Sequence, residues 1–307
     1  MSQVIAFVSG ATGQQGGATA RELVTTGVQV HAIARNPSST SAVQLQRLGV
    51  RLFPGDYNDL SALKAAMEGV TAVFLNVSPT LPDTQSEVVH ARNILDAAIA
   101  SGTVTSIVYS SVTMTGQHES FPNWGPAYPL RWYWENKAAI EAMVRASGLK
   151  YWTILRPAFL MYNYHAPTAA YMFPELIQHR AFRTAYKPET AMTVLAAEDV
   201  GRFAAAALTD PRAFHTHEID LGVESLTPAQ IVRELRRVSG VDLGLQFYSE
   251  EEAKALAATD PRMYAQLWTN EVGYQVDFEA LKKYSIRLTG FADYLDKHRD
   301  EVHEMFK

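Results

Sequence analysis

Short apolar runs alternate with stretches whose apolar positions recur at helical spacing through the first half of the chain. Residues 4–8 form an apolar run of strand length, and from Ala18 the positions Ala20, Leu23 and Val24 gather on one helical face. The same pattern predicts strands over 28–34, 50–54, 71–75, 104–110 and 151–155, and helices over 39–48, 60–67, 84–101 and 133–146. Asp59 stands where its carboxylate satisfies free amides at the start of the third helix. Strands that read as continuous apolar runs, separated by helices, predict a parallel sheet covered on both faces.

From Arg156 the alternation loosens. Residues 157–195 are rich in Pro, Tyr and Met; a helix over 199–208 and a short strand over 218–221 follow. Thr227 caps a helix over 228–238 with proline at its first position, and the remainder carries short helical signals broken by Asp260-Pro261, Gly273 and Gly290. The expected architecture is α/β: a Rossmann-type, doubly wound parallel sheet over 1–156 and about 196–222. A smaller, mostly helical substrate-binding region would come from about 157–195 and 223–307.

The joint between the first strand and the first helix carries Gly10, Gly13 and Gly16 at three-residue intervals, with Gly17 beside them. Strand, glycine turn, helix is the opening unit of a dinucleotide-binding fold. Gly10 allows the tight turn, Gly13 lets the backbone approach a pyrophosphate, and Gly16 lets helix and strand pack closely. Thr12, Gln14 and Gln15 complete the turn, where free amides and the helix dipole favour an anion. The end of strand two carries no acid for a ribose hydroxyl, and Arg35 stands there instead, with Ser38 and Ser39 following. A guanidinium suits a 2′-phosphate, so NADP(H) is favoured over NAD(H). Asp56 and Tyr57, after strand three, would border the adenine; Asn76 and Val77, after strand four, would border the ribose.

Composition narrows the function classes. The 307 residues are 47% hydrophobic and 19% charged, as in an ordinary globular protein. A formal net charge of −5 argues against a nucleic-acid or anionic-membrane surface. No apolar stretch reaches membrane-spanning length, and the first strand begins almost at Met1, leaving little for a targeting segment. Zero cysteine excludes disulfides, thiolate metal sites and cysteine nucleophiles, so the expected compartment is the cytoplasm.

Two features fall at ends of elements expected to face one cleft. Ser110-Ser111 closes strand five, and Tyr133-Trp134-Glu135-Asn136-Lys137 begins the next helix. A Tyr and a Lys four apart share one helical face. A free tyrosine, with a pKa near 10, is a reluctant proton carrier at neutral pH; a neighbouring ammonium favours its phenolate. Tyr133 would then protonate a substrate oxygen, Lys137 would tune it and hold the nicotinamide ribose, and Ser111 would orient the carbonyl. Aromatics crowd the same region (Phe121, Trp124, Tyr128, Trp132, Trp134) and recur after strand six as Phe159, Tyr162, Tyr164, Tyr171 and Phe173. As a group they suggest an apolar carbonyl substrate met by Trp124 and Trp134, with Tyr162, Asn163 and His165 as polar anchors. His215 and His217 would share a face of a strand but lack a third ligand, so no metal is expected. No Gly-x-Ser-x-Gly elbow supports a hydrolase.

The sequence resembles the short-chain dehydrogenase/reductase superfamily, in its atypical NmrA-like branch. The matching pieces are Gly10-Ala11-Thr12-Gly13-Gln14-Gln15-Gly16-Gly17, Arg35-Asn36-Pro37, Lys137 with Ile140-Glu141, Ser147-Gly148-Leu149, and Thr153 through Phe159. The resemblance covers about the first 165 residues well and the last hundred loosely. It implies an NADP-preferring Rossmann fold with a small C-terminal domain and a Pro157–Phe159 loop near the nicotinamide. Ser111 rather than Ser110 is the serine that aligns, with Thr113 as a substitute. Members that bind dinucleotide as redox-linked regulators typically keep a lysine like Lys137 and lack a tyrosine like Tyr133, so Tyr133 moves this chain towards the enzymes. The expectation is an NADPH-dependent reductase of a ketone, enone or quinone. Its alternatives are an NADP(H) sensor read by a protein partner and a non-redox lyase, epimerase or cyclase using the same tyrosine.

Overall fold

The computed structural model describes residues 4–307. In chain order the first half folds as β1 (Ile5–Val8), α1 (Gln14–Thr25), β2 (Gln29–Ala34), α2 (Thr40–Arg47), β3 (Arg51–Pro54), α3 (Leu60–Ala66), β4 (Ala72–Leu75), α4 (Ser86–Ala100), β5 (Ser106–Ser110), α5 (Arg131–Arg145) and β6 (Tyr151–Pro157). The second half supplies β7 (Phe159–Leu160), α6 (Ala169–Met172), α7 (Pro174–Gln178), β8 (Ala181–Thr184), β9 (Met192–Leu195), α8 (Ala197–Thr209), α9 (Pro211–Phe214) and β10 (Glu218–Leu221). After these come β11 (Glu224–Leu226), α10 (Pro228–Ser239), β12 (Gly244–Phe247), α11 (Glu250–Ala257), α12 (Pro261–Glu271), α13 (Phe278–Leu281), α14 (Phe291–Lys297) and α15 (Arg299–Glu304).

Seven strands form one sheet in the order β10-β6-β5-β4-β1-β2-β3. The pairs from β3 across to β6 are parallel, with Phe7 opposite both His31 and Val73. At the β6 edge, Ile154 N–H donates to His217 and Ala158 N–H to Leu221, the ascending order of a parallel partner. Chain direction across the sheet reverses between β1 and β4. In doubly wound sheets the crevice beyond the strand ends at that switch takes the ligand. This is the Rossmann-type fold expected from the alternating pattern.

The chain divides into two compact units. The first runs to Gly116 and takes in Trp132–Arg156 and Ala197–Ile219. Phe7, Val73, Leu75, Ile107, Ile140 and Ile154 are buried together in a core shared by sheet and helices. Each such side chain withdrawn from water stabilises the fold by about 1.5–3 kcal/mol. α1 and α8 cross closely because α8 carries Gly201, where a β-carbon would lie 2.8 Å from the Ala18 carbonyl carbon. The capping residues behave as their chemistry predicts: Asp59 accepts from Ala62 N–H at 2.9 Å, and Thr227 closes a reciprocal capping box with Gln230.

The second unit comprises Gln117–Arg131, Pro157–Ala196 and Asp220–Lys307. Its inclusion of 117–131 departs from the expected boundary at residue 156. Besides helices it holds two small sheets, β11-β9-β7 and β12-β8, in the stretch where periodicity fades. Strands of two to four residues are too short to print a pattern. Tyr164, Phe173, Phe182, Phe291 and Tyr294 build its core, with Tyr164 and Phe173 stacked at 5.3 Å. Tyr164 and Phe173, expected around a substrate, therefore pack this unit instead. Among the described residues, no helix is long and apolar enough to cross a membrane.

Candidate functional site: a glycine turn and a buried Tyr-Lys-Glu cluster

The turn after β1 is built to exclude side chains. Gly10 adopts φ +65°, which side-chain-bearing residues avoid. A β-carbon on Gly16 would lie 2.4 Å from both the carbonyl carbon and oxygen of Gly10 and 2.6 Å from the Ser9 oxygen. Gly13 N–H donates to Gly10 O at 2.9 Å and closes the turn. α1 then begins with no side-chain cap at Gly13 and no acid in its first turn, while Thr12, Gly13 and Gln14 are exposed. An uncapped, unopposed helix start offers amides and a positive dipole end to an anion. This close backbone cradle fits a dinucleotide pyrophosphate.

The ends of the neighbouring strands crowd this turn. Ser9 Oγ accepts from Asn76 N–H at 2.6 Å, tying β1 to the end of β4, and Asn76 lies against Gly10. Val77 is buried in the sheet core, so only its backbone is left to meet a ligand. Tyr57 Oη accepts from Gly10 N–H at 2.6 Å; burial pushes its phenol pKa up, with that amide and the Arg35 guanidinium opposing. Arg35 is exposed just past β2. Asp56 shapes its own loop, with Oδ1 accepting from Asn58 N–H at 2.8 Å. Ser39 is the N-cap of α2, its Oγ accepting from Ala42 N–H at 3.4 Å and lying 3.5 Å from Ser41 Oγ. Gln15, expected only as a ligand contact, is also held across the sheet, since Ser110 Oγ donates to its Oε1 at 2.7 Å.

The start of α5 is docked on the start of α4. Asn136 Nδ2 donates to Thr84 O at 2.6 Å, and Gln85 Nε2 reaches Asn136 Oδ1 at 3.4 Å. One turn apart on α5, the Lys137 ammonium stands 5.6 Å from the centroid of the Tyr133 ring. That ammonium is also ion-paired with Oε1 of Glu87, a carboxylate with no exposure at all. Trp134 is buried and meets Tyr133 edge-on at 5.3 Å. A turn further along, Glu141 accepts from Arg156 Nε at 2.8 Å and Nη2 at 2.6 Å and from Arg145 Nη2 at 2.7 Å.

Tyr109 of β5 lies between these groups. Burial, with the charges of Glu87, Glu141 and Tyr133, drives its pKa well above the ordinary phenol value, and the Ser111 hydroxyl works the other way. Ser111 is buried; its Oγ donates to Thr115 Oγ1 at 3.3 Å. Thr113, expected as a substitute for Ser111, is committed elsewhere: its Oγ1 donates to Arg156 O at 2.7 Å.

The remaining expected residues lie in the second unit. Pro157 and Phe159 are buried there, and Tyr162 and Asn163 are half-buried on a short 3-10 turn. Burial pushes the Tyr162 phenol pKa up. Trp124 is half-buried among His118, Phe121 and Tyr128, with Arg131 over its ring at 5.7 Å. His165 is no ligand anchor, because one ring nitrogen meets Tyr294 Oη and the other Ala166 O, both at 2.8 Å. His215 lies before β10, not in it, and its Nδ1 accepts from Trp152 N–H at 3.4 Å. Among the described residues, no group of three or more His, Asp or Glu is placed to hold a metal ion.

Glu87 is the residue that pattern reading missed, although the sequence held a signal. Ala91, Ile94 and Ala98 form the buried stripe of α4, and Glu87 continues that stripe at helical spacing. An acid on an apolar stripe needs a buried partner.

Comparison with known proteins places this geometry. A 38% identical stretch of 120 residues is shared with an NmrA-like family domain-containing oxidoreductase of Aspergillus campestris, covering 37% of this chain and only 35% of that relative's length. Quinone oxidoreductase 2 of Escherichia coli is 29% identical over 252 residues, which is 81% of this chain and 79% of its own. The crystal structure of an NADPH-dependent quinone oxidoreductase from Escherichia coli complexed with NADPH superposes with a TM-score of 0.72 at 26% identity, over 96% of this chain and 99% of that one. The nitrogen metabolite repression protein of Emericella nidulans is 28% identical over 241 residues, 76% of this chain and 65% of its own. A model of the NmrA-like family matches residues 1–295, and the chain therefore belongs to the NmrA-like family.

Proposed function

We propose that this chain is an NADPH-dependent reductase of a carbonyl, enone or quinone group on a small apolar molecule. The observation that carries the reading is the Lys137 ammonium 5.6 Å from the Tyr133 ring on one face of α5. The uncapped start of α1 would hold the pyrophosphate, Arg35 and the Ser39 hydroxyl the 2′-phosphate, and Asn76 the ribose. Bound NADPH supplies a hydride. Tyr133 donates its hydroxyl proton to the substrate oxygen as negative charge gathers there, while the Ser111 hydroxyl donates a hydrogen bond that orients it. Lys137 stabilises the phenolate that Tyr133 leaves behind. Substrate contacts by Trp124, Trp134, Tyr162 and Asn163 belong to the same proposal.

Titration of NADPH and NADH into the protein and into Arg35→Ala tests the cofactor assignment. The variant is expected to lose NADPH affinity about tenfold or more while NADH affinity changes little. Consumption of NADPH with ketones, enones and quinones then tests the reaction, with Tyr133→Phe expected to abolish turnover and keep binding. Absence of dinucleotide binding overturns the reading at its base. A second reading, an NADP(H)-binding regulator, is favoured by one observation: Glu87 already neutralises Lys137. Tight binding without turnover across the panel would select it.

A further inference from the structure

We propose that Glu87 is the positioning residue that sets the acidity of Tyr133, holding the phenol in its protonated, proton-donating form. The role of Tyr133 as the acid rests on the reductase reading above; the electrostatic arrangement does not.

An ammonium beside a phenol favours the phenolate. Left to itself, Lys137 over the Tyr133 ring would press the residue towards the base that an alcohol oxidation needs. Glu87 prevents this. Its Oε1 closes an ion pair with the Lys137 ammonium, and its fully buried Oε2 has no hydrogen-bond partner among the described residues. The carboxylate thus has one strong interaction, and all of it is directed at Lys137. With water excluded from the pair, the opposing charges cancel at the distance of Tyr133 far more completely than a screened surface pair would.

Charged and titratable groups reach this cluster from several elements. Glu87 faces it from α4, Tyr109 from β5, and Lys137 and Glu141 from α5 itself. Glu141 and Glu218 both pair with Arg156 and Arg145, so those two carboxylates and two guanidinium groups offset one another. Tyr109 is uncharged, since its own environment opposes ionisation. The Lys137–Glu87 pair is therefore the contact through which Glu87 acts on Tyr133. When Tyr133 gives its proton to a substrate oxygen, the new phenolate competes with Glu87 for the ammonium, and the pair loosens only at that moment. The arrangement keeps Tyr133 protonated at neutral pH until the moment of transfer.

The test is the tyrosinate difference spectrum, read against pH in the full chain without cofactor, with the Tyr133→Phe spectrum subtracted to isolate this residue. Glu87→Gln is expected to lower the ionisation midpoint of Tyr133 by about one to two pH units, the uncompensated effect of a charge at this distance in a partly buried site. Lys137→Met is expected to raise it. Glu87→Gln/Lys137→Met removes both charges and is expected to return it close to the unmodified value, while Glu87→Asp restores it in part. An unchanged midpoint in Glu87→Gln overturns the proposal. Should the single variant fail to fold because it strands a buried cation, the double variant decides. A midpoint well above that of the unmodified protein would mean that Lys137 acts on Tyr133 unopposed, and the proposal fails. Because neither NADPH nor substrate is present, failure here is separate from failure of the reductase reading.

Discussion

Substituting alanine for Gly16 probes whether the turn is built for close backbone approach. Two terms oppose each other. Gly16 lies inside α1, where alanine gains about 1 kcal/mol over glycine in helix propensity. Against this, the new β-carbon would stand 2.4 Å from two backbone atoms of Gly10 and 2.6 Å from a third on Ser9. Backbone atoms do not swing aside as a long side chain would, so the first turn of α1 must move off β1. Overpacking of this kind costs about 1–3 kcal/mol, and contacts this short belong at the upper end. The expected net loss is about 1–2 kcal/mol, a fall of roughly 2–8 °C in the unfolding midpoint. Dinucleotide affinity should fall further than stability, because the displaced turn carries the amides proposed to meet the pyrophosphate. Gly201→Ala is the control: its β-carbon would press on Ala18 and Thr19 at 2.8–3.0 Å, on α1 but past the Gly10–Gly16 turn. It should lower the midpoint comparably and leave affinity within a few-fold. Calorimetric melting and fluorescence titration with NADPH read both quantities. A Gly16→Ala protein with unchanged midpoint and affinity refutes the argument, and equal loss of affinity in both variants shifts its cause to helix packing.

Four further outcomes follow from the geometry. Glu141→Gln removes the carboxylate that engages two guanidinium groups beneath α5, and chemical denaturation should show a loss of about 3 kcal/mol. Burial pushes the Glu218 carboxyl up, but hydrogen bonds and charge from Arg145 and Arg156 outweigh it and hold the pKa below its ordinary value. Its contribution to stability is therefore complete above the unfolded carboxylate pKa and lost as pH falls through the folded one, so Glu218→Gln should flatten the acid limb of the stability profile. His31 is buried in β2, its Nδ1–H donating to Ala66 O at 2.9 Å, and burial lowers its pKa. The unfolded chain takes up that proton first, so stability should decline as pH drops below about 6.5, and His31→Gln should remove that segment of the curve. Asp59→Ala should cost about 1 kcal/mol in the same denaturation assay, through the lost cap on α3.

The parallel sheet was legible because its strands leave two independent marks. β1, β2, β4 and β5 are buried along nearly their whole length and β6 through its centre, so each prints an apolar run. The intervening helices print a different period, and caps such as Asp59 and Thr227 mark their starts. The second unit lacks both marks. β7 has two residues, α6 and α13 four each, and their pairings join positions far apart in the chain, as in Phe159 opposite Val194. The aromatics there misled for a related reason. Tyr164 and Phe173 have the composition of a ligand pocket, yet tilted and edge-on packing against Phe182 and Phe291 buries them as core. Composition reports that apolar surface is hidden and not what hides it.

The candidate site divides along the same line. Gly10, Gly13 and Gly16 are fixed by local backbone geometry, so their spacing carries the turn; Tyr133 and Lys137 are one helical turn apart, so their meeting follows from α5 alone. Glu87 is fifty residues from Lys137, and only the docking of α4 on α5 through Thr84, Gln85 and Asn136 brings the two together. That separation changes the chemistry inferred. A tyrosine and lysine taken by themselves describe an activated phenol, ready to act as base or acid. With the carboxylate included, the same phenol stands beside an ammonium that is already ion-paired. On the proposed reading the charge balance at Tyr133 depends on this long-range contact, and a reading confined to one helix identifies Tyr133 and Lys137 without the carboxylate that pairs with the ammonium.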